Sequence, residues 1–563
     1  MGTTPDRTPG PTRYPRLCVS AASGGGGKTL LALGLARAAR KAGLAVKPFK
    51  KGPDYIDAAW LGRAAGMAAT NLDPFFLPPA ALAALFARAL NAVDAVDAAV
   101  TRDAAGAAAP DRAAQGRGRL GLVEGNRGLY DGLDAQGSCS TAGLARALAC
   151  PVLLSLDATK MTRTAAALLA GLMDFEPGVR ICGVVFNRVG SPRHETALRR
   201  AVEARLPLPV LGALPRLARN PLPERHMGIA SSGAGLRAEA DALLDALAQL
   251  VRDHVDVERV LEAAGNAPPL PGGETAPRDG SGDDGPRRTL AEELRPPPSS
   301  SAPGPHAPPS VADRPEQRVC PAPGGAPAGG VPAAPRPRIG YVRDAAFWFY
   351  YPENLAALED AGAEPVPLAL VDAPGAEDDV WETLDGLYLG GGFPEDFLPR
   401  LSGSPGLARL AALSRAGLPI YAECGGLLAL SRGMERDGVF WPLAGALPLR
   451  AVWTARPQGL GYVEGEVMLP NPFLPVGLRV RAHEFHYSRC IREAGAPPAA
   501  LALTRGTGMG RFSEGDGRAR AGDGIVCGRT WGAYCHIFAP AVPCWAPNFV
   551  AAARARRAAR ALR

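Results

Sequence analysis

Short apolar runs alternate with amphipathic stretches from Leu17 to about Gly265. TLLALGLARAARKAG, TAGLARALA and RTAAALLAGLMD carry apolar residues at helical spacing. The runs between them predict buried strands: LCVSA (17–21), LAVKPFK (44–50), LGLVEG (120–125), PVLLSLDA (151–158) and ICGVVFN (181–187). Helices that alternate with nearly continuous apolar strands predict an α/β fold with a doubly wound parallel sheet.

The composition changes abruptly after this first domain, which we place at 17–265. Residues 266–336 are dominated by Pro, Gly and Ser, cannot bury a core, and predict a long disordered linker. Order resumes with RIGYVRDAAF, DGLYLGGGFPE and GLPIYAECGGLL, which predict a second α/β domain over 337–550. Residues 1–16 are interpreted as a disordered lead-in, and 551–563 as a basic, solvated helical tail.

The bulk composition fits a globular protein of two or more domains: 563 residues, 47% hydrophobic and 21% charged, with a net charge of +7. This charge suits small polyanions such as nucleotides and does not by itself indicate nucleic acid. The ten cysteines form no C-x-x-C pair, so neither a zinc site nor a disulfide framework is indicated. With no signal peptide and no long apolar span, a cytoplasmic location is expected.

A phosphate-loop candidate follows the first strand and opens a helix. It departs from the consensus only in Ala22, which replaces the first glycine. Its main-chain N–H groups are suited to phosphates, Lys28 to the β- and γ-phosphates, and Thr29 to Mg²⁺. The alternative is a flexible glycine loop with an unrelated Lys-Thr pair. The predicted ATP-binding residues are Ser23, Gly24, Gly25, Gly26, Gly27, Lys28 and Thr29.

Several acids follow predicted strands or turns near this loop. Glu124 ends a buried strand, where a carboxylate is placed to bind Mg²⁺. Asp54 and Asp57 lie in KKGPDYIDAAW, and Asp73 lies in NLDP. Each acid taken alone reads as a turn or cap residue, but together they predict a metal and phosphoryl site. Asn187 ends another strand and is either an adenine contact or a turn former.

Cys424 follows a buried strand and precedes Gly425 and Gly426, which allow a sharp turn into the helix LLALSRG. This arrangement projects a nucleophile and aims a helix N-terminus at it, whereas the alternative is a buried core thiol. His486 and His536 are the candidate bases. Main-chain N–H groups of Gly391, Gly392 and Gly425 are candidates for an oxyanion hole.

Seven stretches resemble the cobyrinic or hydrogenobyrinic acid a,c-diamide synthases of corrin biosynthesis: VKPFKKGPDYID, NLDP, VEGNRGLYDG, LPERHMG, RDAAFWFYYPENL, LYLGGGFPE and AECGG. The resemblance implies a P-loop NTPase-like, dethiobiotin-synthetase-like domain fused to a class I glutamine amidotransferase domain with a flavodoxin-like sheet. It further implies that Cys424 releases ammonia from glutamine. ATP with Mg²⁺ then activates the c and a acetates of the macrocycle as acyl phosphates, which ammonia converts to amides.

The resemblance also implies roles for individual residues. The catalytic histidine becomes His536 rather than His486, and HEFHYS becomes a substrate-contacting or interface segment. Phe538 stands where class I domains often carry a third acid, so a Cys-His dyad, or an acid from elsewhere, is implied. The implied metal ligands are Thr29, Asp54 and Glu124, and the implied corrin contacts are Tyr55, Asp57, Asp73, Tyr130 and Asp131. The implied partners are ATP, glutamine and a corrin polyacid, without nucleic acid or membrane, and a homodimer is the hypothesis for the assembly.

Two other families share part of this pattern. Cobyric acid synthase shares the domain order but typically has Gln-Asn-Met after PFK, where this chain has Lys-Gly-Pro-Asp. Partition-type ATPases carry a signature lysine where Ser23 stands. The ring substrate is either metal-free or cobalt-loaded, and the arginine-rich character favours the metal-free acid.

Overall fold

The computed structural model describes residues 14–103, 118–219, 221–222, 234–272, 335–371, 378–513 and 519–562. The chain divides into two units, one largely before residue 288 and one largely after it. Most of the predicted linker, the lead-in before Tyr14 and residues 223–228 of the LPERHMG motif lie outside the described residues. No helix within the described ranges is long and apolar enough to cross a membrane.

The first unit is built on a parallel sheet in the order β3-β2-β4-β1-β5-β6-β7. Its strands are β1 (Arg16–Ala21), β2 (Ala45–Lys51), β3 (Thr70–Leu72), β4 (Arg119–Glu124), β5 (Val152–Asp157), β6 (Ile181–Val189) and β7 (Val210–Pro215). The predicted doubly wound parallel sheet is therefore confirmed, and the five predicted strands all belong to it. Strands β3 and β7 were not predicted.

Helices cover the sheet because their apolar residues recur at helical spacing. In α1 these residues are fully buried from Leu31 to Leu33. The helices are α1 (Lys28–Lys41), α2 (Tyr55–Ala65), α3 (Pro79–Asp103), α4 (Thr141–Ala147), α5 (Arg163–Asp174), α6 (Pro192–Glu203), α7 (Ala234–His254) and α8 (Val257–Gly265). Because parallel strands end at the same edge, the segments after β1, β2, β4, β5 and β6 converge there, which is where ligands bind in such sheets.

The second unit contains a sheet in the order β10-β8-β11-β13-β24-β23, parallel except for β23. Its strands are β8 (Arg338–Val342), β10 (Glu364–Leu368), β11 (Gly386–Leu389), β13 (Ile420–Glu423), β23 (Ile525–Cys527) and β24 (Thr530–Ala533). The helices of this unit are α9 (Pro352–Asp360), α10 (Asp378–Glu382), α11 (Leu398–Leu401), α12 (Pro405–Arg415), α13 (Gly425–Leu430) and α14 (Trp545–Ala561), with 3₁₀ turns at Pro394–Phe397 and Ala539–Ala541.

Three further sheets, which the sequence analysis did not predict, complete the second unit. A short antiparallel pair joins β12 (Gly391–Gly392) to β9 (Phe347–Phe349). A four-stranded sheet contains β15 (Val439–Pro442), β14 (Gly433–Arg436), β16 (Leu449–Trp453) and β19 (Ser488–Arg492). A six-stranded sheet contains β21 (Gly510–Ser513), β22 (Ala519–Asp523), β20 (Leu501–Arg505), β17 (Gly459–Val467), β18 (Arg479–His486) and β25 (His536–Ile537).

The C-terminal helix α14 is part of the second unit. Residue 550, where the sequence analysis ends the domain, lies inside this helix, and Trp545 and Phe549 are fully buried. Further along, Arg557 Nη1 and Arg560 Nη2 lie 3.6 and 3.3 Å from the carboxylate of the buried Asp385. Arg557 and Arg560 therefore connect this helix to Asp385, while most residues of 551–562 are exposed, as expected for a solvated basic helix.

Candidate functional site

The phosphate-loop candidate connects β1 to α1, as expected. Ser23, Gly24 and Gly25 are exposed at its tip. Gly27 caps the helix with φ 90°, and a Cβ there would lie 2.1 Å from Asn187 Nδ2, so only glycine fits. The loop therefore presents main-chain N–H groups at the N-terminus of α1, which is the geometry that binds phosphate.

Side chains from β5 and β6 hold the back of this loop. Ser155 Oγ donates to the carbonyl of Gly26 at 2.7 Å, and Asn187 Nδ2 donates to the same carbonyl at 3.2 Å. Asn187 Oδ1 accepts from the N–H of Arg188, so both ends of this amide are engaged within the protein. These contacts favour a bracing role for Asn187 over contact with adenine.

A buried ionic cluster lies beside the loop. Thr29 Oγ1 donates to Glu124 Oε1 at 2.6 Å, so the structure brings together two of the three predicted metal ligands. Lys50 Nζ donates to Asp57 Oδ2 at 2.6 Å and lies 3.3 Å from Glu124 Oε2. Lys50, at 1% exposure, was given no role by the sequence analysis, although it stands at the end of a buried strand in the KKGPDYID motif.

The burial of this cluster perturbs its protonation. Burial raises the pKa of Glu124 to about 7, opposed by the nearby positive charge of Lys50. Burial lowers the pKa of Lys28, as does the charge of Lys50. For Lys50 burial acts in the same downward direction, but the carboxylates of Asp57, Glu124 and Asp54 outweigh it and raise its pKa. The cluster is thus a balanced group of buried charges beside a phosphate-binding loop.

The third predicted metal ligand, Asp54, has a structural task of its own. Its Oδ1 accepts from the N–H groups of Ile56 and Asp57 at 2.8 and 3.0 Å, which makes it the N-cap of α2. Burial raises the pKa of this carboxyl. Among the described residues, no three His, Cys, Asp or Glu side chains cluster as ligands of a metal ion.

The predicted corrin contacts fall into different environments. Asp73 is fully buried, and its Oδ1 accepts from the N–H of Phe75 at 2.9 Å, so it forms a turn and offers no surface to a substrate in this conformation. Tyr130 donates its hydroxyl to the carbonyl of Leu172 at 2.5 Å. Asp131 is exposed, and Tyr55 and Asp57 are half-buried at the start of α2.

Cys424 occupies a sharp turn between β13 and α13. Its backbone has φ 45° and ψ −101°, a conformation that non-glycine residues rarely adopt. The side chain is 3% exposed, and Sγ donates to the carbonyl of Phe485 at 3.5 Å. Burial raises the pKa of the thiol, and the charge of the Glu395 carboxylate raises it further. The strained turn fits the nucleophile interpretation better than a passive core thiol.

A buried acid accompanies the predicted base. His536 Nδ1 lies 3.4 Å from Glu423 Oε2, and both side chains are at most 1% exposed. Glu423 also accepts from the N–H of Ile537 at 3.0 Å and from the hydroxyl of Tyr388 at 2.8 Å. Glu423, which directly precedes Cys424, is therefore a candidate for the third acid in place of Phe538. Glu423 carries no local sequence signal for this role.

The three predicted oxyanion-hole glycines meet beside this histidine. A Cβ on Gly391 would lie 2.4 Å from His536 Cε1, and one on Gly425 would lie 2.9 Å from the Gly392 nitrogen. Gly392 has φ 155°, and a Cβ there would lie 1.9 Å from the carbonyl oxygen of Ala346. The GGGFP segment is therefore packed directly against the Cys424 turn and His536, at a distance that only glycines permit.

The two histidines of HEFHYS lie next to this site. His483 pairs with His536 across β18 and β25, and burial lowers its pKa to about 3, as do the charges of His536 and His486. His486 donates from Nδ1 to the carbonyl of Ser488 at 2.7 Å, and its ring stacks on Tyr534 with centroids 3.7 Å apart. His486 is thus held in an internal network, and the choice of His536 as base stays a prediction.

Two family models match the chain. Residues 17–229 match the CobQ/CobB/MinD/ParA nucleotide binding domain, and residues 338–542 match the CobB/CobQ-like glutamine amidotransferase domain. These matches cover the units that hold the phosphate loop and the Cys424 turn, respectively.

Curated relatives align over most of the chain. The cobyrinate a,c-diamide synthase of Magnetococcus marinus is 36% identical over 541 residues, 95% of this chain and 97% of that protein. That of Syntrophotalea carbinolica is 36% identical over 86% of this chain and 88% of its own length. The hydrogenobyrinate a,c-diamide synthase of Streptomyces coelicolor is 36% identical over 86% of this chain and 89% of its own length. On this identity and coverage, the chain belongs to the cobyrinate/hydrogenobyrinate a,c-diamide synthase family of glutamine-dependent amidating ligases.

Proposed function

We propose that the protein converts the a and c acetate carboxylates of hydrogenobyrinic or cobyrinic acid to amides, with glutamine as nitrogen donor and ATP as activating substrate. The observation that carries the proposal is that the Cys424 turn and His536 both pack against the same glycine loop, in a chain that also holds a phosphate loop. The ring substrate is inferred from family membership. The Cys424 turn accounts for the glutaminase half-reaction, and the phosphate loop accounts for the ATP-dependent half-reaction.

In the glutaminase half-reaction, the thiol proton of Cys424 passes to His536 as sulfur attacks the side-chain carbonyl carbon of glutamine. Main-chain N–H groups of Gly391, Gly392 and Gly425 stabilise the negative oxygen that forms. The carbon–nitrogen bond then breaks, and His536 returns the proton to the departing ammonia. Water hydrolyses the resulting thioester and releases glutamate. Glu423 keeps the imidazole of His536 oriented throughout.

In the synthetase half-reaction, a ring carboxylate oxygen attacks the γ-phosphorus of ATP, and ADP leaves. Ammonia then attacks the acyl carbon and displaces phosphate, which leaves an amide. Lys28 and the N-terminus of α1 balance the phosphate charge. The Thr29 hydroxyl and the Glu124 carboxylate are oxygen donors of the kind Mg²⁺ prefers, and we propose that they hold the nucleotide-bound ion, which neutralises phosphate charge.

For the ring itself, we propose contacts from Tyr55, Asp57 and Asp131, which retain exposed surface near the phosphate loop. The relatives named for the cobalt-loaded and for the metal-free acid are equally identical to this chain, at 36%. Cysteines in the described part of the chain are free thiols, which supports a reducing, cytoplasmic location. A homodimer remains the hypothesis for the assembly, and size-exclusion chromatography with light scattering tests it.

The proposal is tested by incubating the protein with ATP, Mg²⁺ and glutamine, with metal-free and cobalt-loaded ring acids offered in parallel. Each carboxyl-to-amide conversion lowers the mass by about 1 Da, so mass spectrometry counts the amides. We expect a diamide, which Cys424→Ala abolishes with glutamine but not with ammonium chloride. The acid that is converted identifies the ring substrate. A product with more than two amides, or no product with either acid while glutamine is still hydrolysed, would refute the substrate assignment.

A further inference from the structure

Beside Cys424 lies a buried carboxylate that the mechanism above does not use. Glu395 belongs to the 3₁₀ turn Pro394–Phe397, directly after the glycine loop, and is 6% exposed. Its neighbour Pro394 packs on the cysteine turn, because a Cβ on Gly425 would lie 3.1 Å from Pro394 Cδ. The carboxylate is also close enough for its charge to act on Cys424.

The protein leaves part of this carboxylate unsatisfied. Glu395 Oε2 has no hydrogen-bond partner among the described residues. The charge of Arg436 acts on this carboxyl, but Arg436 Nη1 donates to the main-chain carbonyl of Glu395 and, at 3.0 Å, to Asp396 Oδ1. Burial raises the pKa of Glu395 to about 7. A buried carboxylate oxygen without a hydrogen-bond donor is costly, so its placement beside a nucleophile suits a cationic ligand that donates to it.

The surroundings restrict what that ligand can be. Phe393 packs edge-on against Phe349 and Phe485, with ring centroids 5.0 and 6.2 Å away. Phe349 also lies 6.4 Å from the His536 ring, and Phe485 provides the carbonyl that accepts from Cys424. Of the carboxylates whose charges act on the thiol, Glu423 and Asp523 accept hydrogen bonds from other parts of the protein, and Glu395 is the one with an unsatisfied oxygen. Glutamine carries one cationic group, its α-ammonium, together with the carboxamide that Cys424 attacks.

We propose that Glu395 accepts the α-ammonium group of glutamine and so selects glutamine among carboxamides. The inference rests on the proposed glutaminase role of Cys424. It also connects recognition to reactivity, because the ammonium neutralises a carboxylate whose charge disfavours the Cys424 thiolate. A carboxamide without an ammonium leaves that charge in place, so Cys424 is easier to deprotonate when glutamine is bound.

The test compares glutamine with glutaramate, which has the same carboxamide but no α-amino group, by ammonia release from the full-length protein. The wild type should prefer glutamine by a factor on the order of 100 or more in kcat/KM, because glutaramate leaves a buried carboxylate unpaired. Glu395→Gln should raise KM for glutamine on the order of 100-fold. It should not lower kcat/KM for glutaramate, because the variant removes the charge that disfavours the Cys424 thiolate. Asp396→Asn, which neutralises the neighbouring and largely exposed carboxylate, should leave both substrates unchanged.

Several outcomes would overturn the proposal. If Glu395→Gln lowered kcat/KM equally for glutamine and glutaramate, the role of Glu395 would be structural only. A wild-type protein with equal kcat/KM for glutaramate and glutamine would also overturn the proposal. This comparison needs no variant, so it still tests the proposal if Glu395→Gln does not fold. Ammonium-driven amidation of the ring acid monitors the fold of the synthetase unit. Cys424→Ala separates the two proposals, because glutamine hydrolysis that survives in it would refute the proposed nucleophile whatever Glu395 does.

Discussion

Replacing Glu423 with glutamine should disable the glutaminase without disturbing the rest of the protein. The carboxylate accepts from Ile537 N–H with Oε1, while Oε2 accepts from Tyr388 and lies 3.4 Å from His536 Nδ1. An acceptor at this position favours the tautomer with the proton on Nδ1, which leaves Nε2 to take the proton of Cys424. Glutamine keeps an oxygen for Ile537 but presents an NH₂ group to Nδ1, which favours the opposite tautomer.

The expected loss follows from this exchange of tautomers. In a serine-protease triad, where an acid also orients the histidine, the equivalent acid-to-amide change lowers kcat about 10⁴-fold. The 3.4 Å separation here is longer than a good hydrogen bond, so we expect a loss of about 10²- to 10⁴-fold, or about 3 to 5 kcal/mol of transition-state stabilisation. The loss should appear in kcat rather than in KM, because Glu423 acts through His536.

The assay is ammonia release from glutamine, followed beside amidation of the ring acid driven by ammonium chloride. Glu423→Gln should abolish the first and spare the second. Tyr388→Phe is the matched control, because it removes one hydrogen bond to the same carboxylate oxygen and leaves the charge; it should lose less than about tenfold. A Glu423→Gln variant that retains more than a third of the wild-type kcat would refute the orienting role.

Three further changes test the geometry of both units. Gly392→Ala should lower the free energy of unfolding, measured in urea, by at least about 3 kcal/mol, because its Cβ would meet the carbonyl of Ala346. Gly403→Ala is the control: Gly403 has φ 80° and open space around it, so the loss should be about 1 to 2 kcal/mol. Equal losses in the two variants would contradict the packing around Gly392. Lys50→Met should destabilise the first unit by about 3 to 5 kcal/mol, because it leaves Asp57 and Glu124 without the Lys50 ammonium. The same variant should lose amidation of the ring acid and keep glutamine hydrolysis. A loss of stability under about 1 kcal/mol would argue against the buried ion pairs. Glu395 has a pKa raised from 4.5 to about 7, so the folded protein retains a proton that the unfolded chain releases as pH rises through this window, and stability falls. Glu395→Gln should therefore match the wild type near pH 4 and exceed it by up to about 3 kcal/mol near pH 8, and a gain that does not depend on pH would exclude this titration as its cause.

The sequence predicts the first unit well because its central strands are continuous apolar runs between clear helical patterns. The strand Thr70–Leu72 was not predicted, because three residues are too few to show a hydrophobic periodicity and the strand forms only by pairing with β2. The antiparallel sheets of the second unit include short strands that contain polar residues, such as Ser488–Arg492, whose position depends on pairing with the sequence-distant strand Leu449–Trp453. Such elements exist only once the tertiary structure has formed.

The site residues that can be predicted from the sequence are those marked by a signal in the neighbouring residues. Cys424 and Thr29 are marked by glycines and by strand-to-helix context, which are local signals. In the sequence, Glu423 is indistinguishable from an ordinary strand residue. Its proximity to His536 depends on contact between β13 and the segment around Ile537, which lies 114 residues after Glu423. Glu395 likewise becomes notable only when its burial and its unsatisfied oxygen are known.

The C-terminal helix sets a limit on how the protein can be divided. The amidotransferase family match ends at residue 542, three residues before α14 begins. A fragment cut there would lose Trp545 and Phe549, which fill the core, and would leave Asp385 buried without Arg557 and Arg560. The core of the second unit therefore extends beyond the residues that match the family model. A separately expressed amidotransferase half should extend to at least Ala561, and any fusion partner belongs after Arg563.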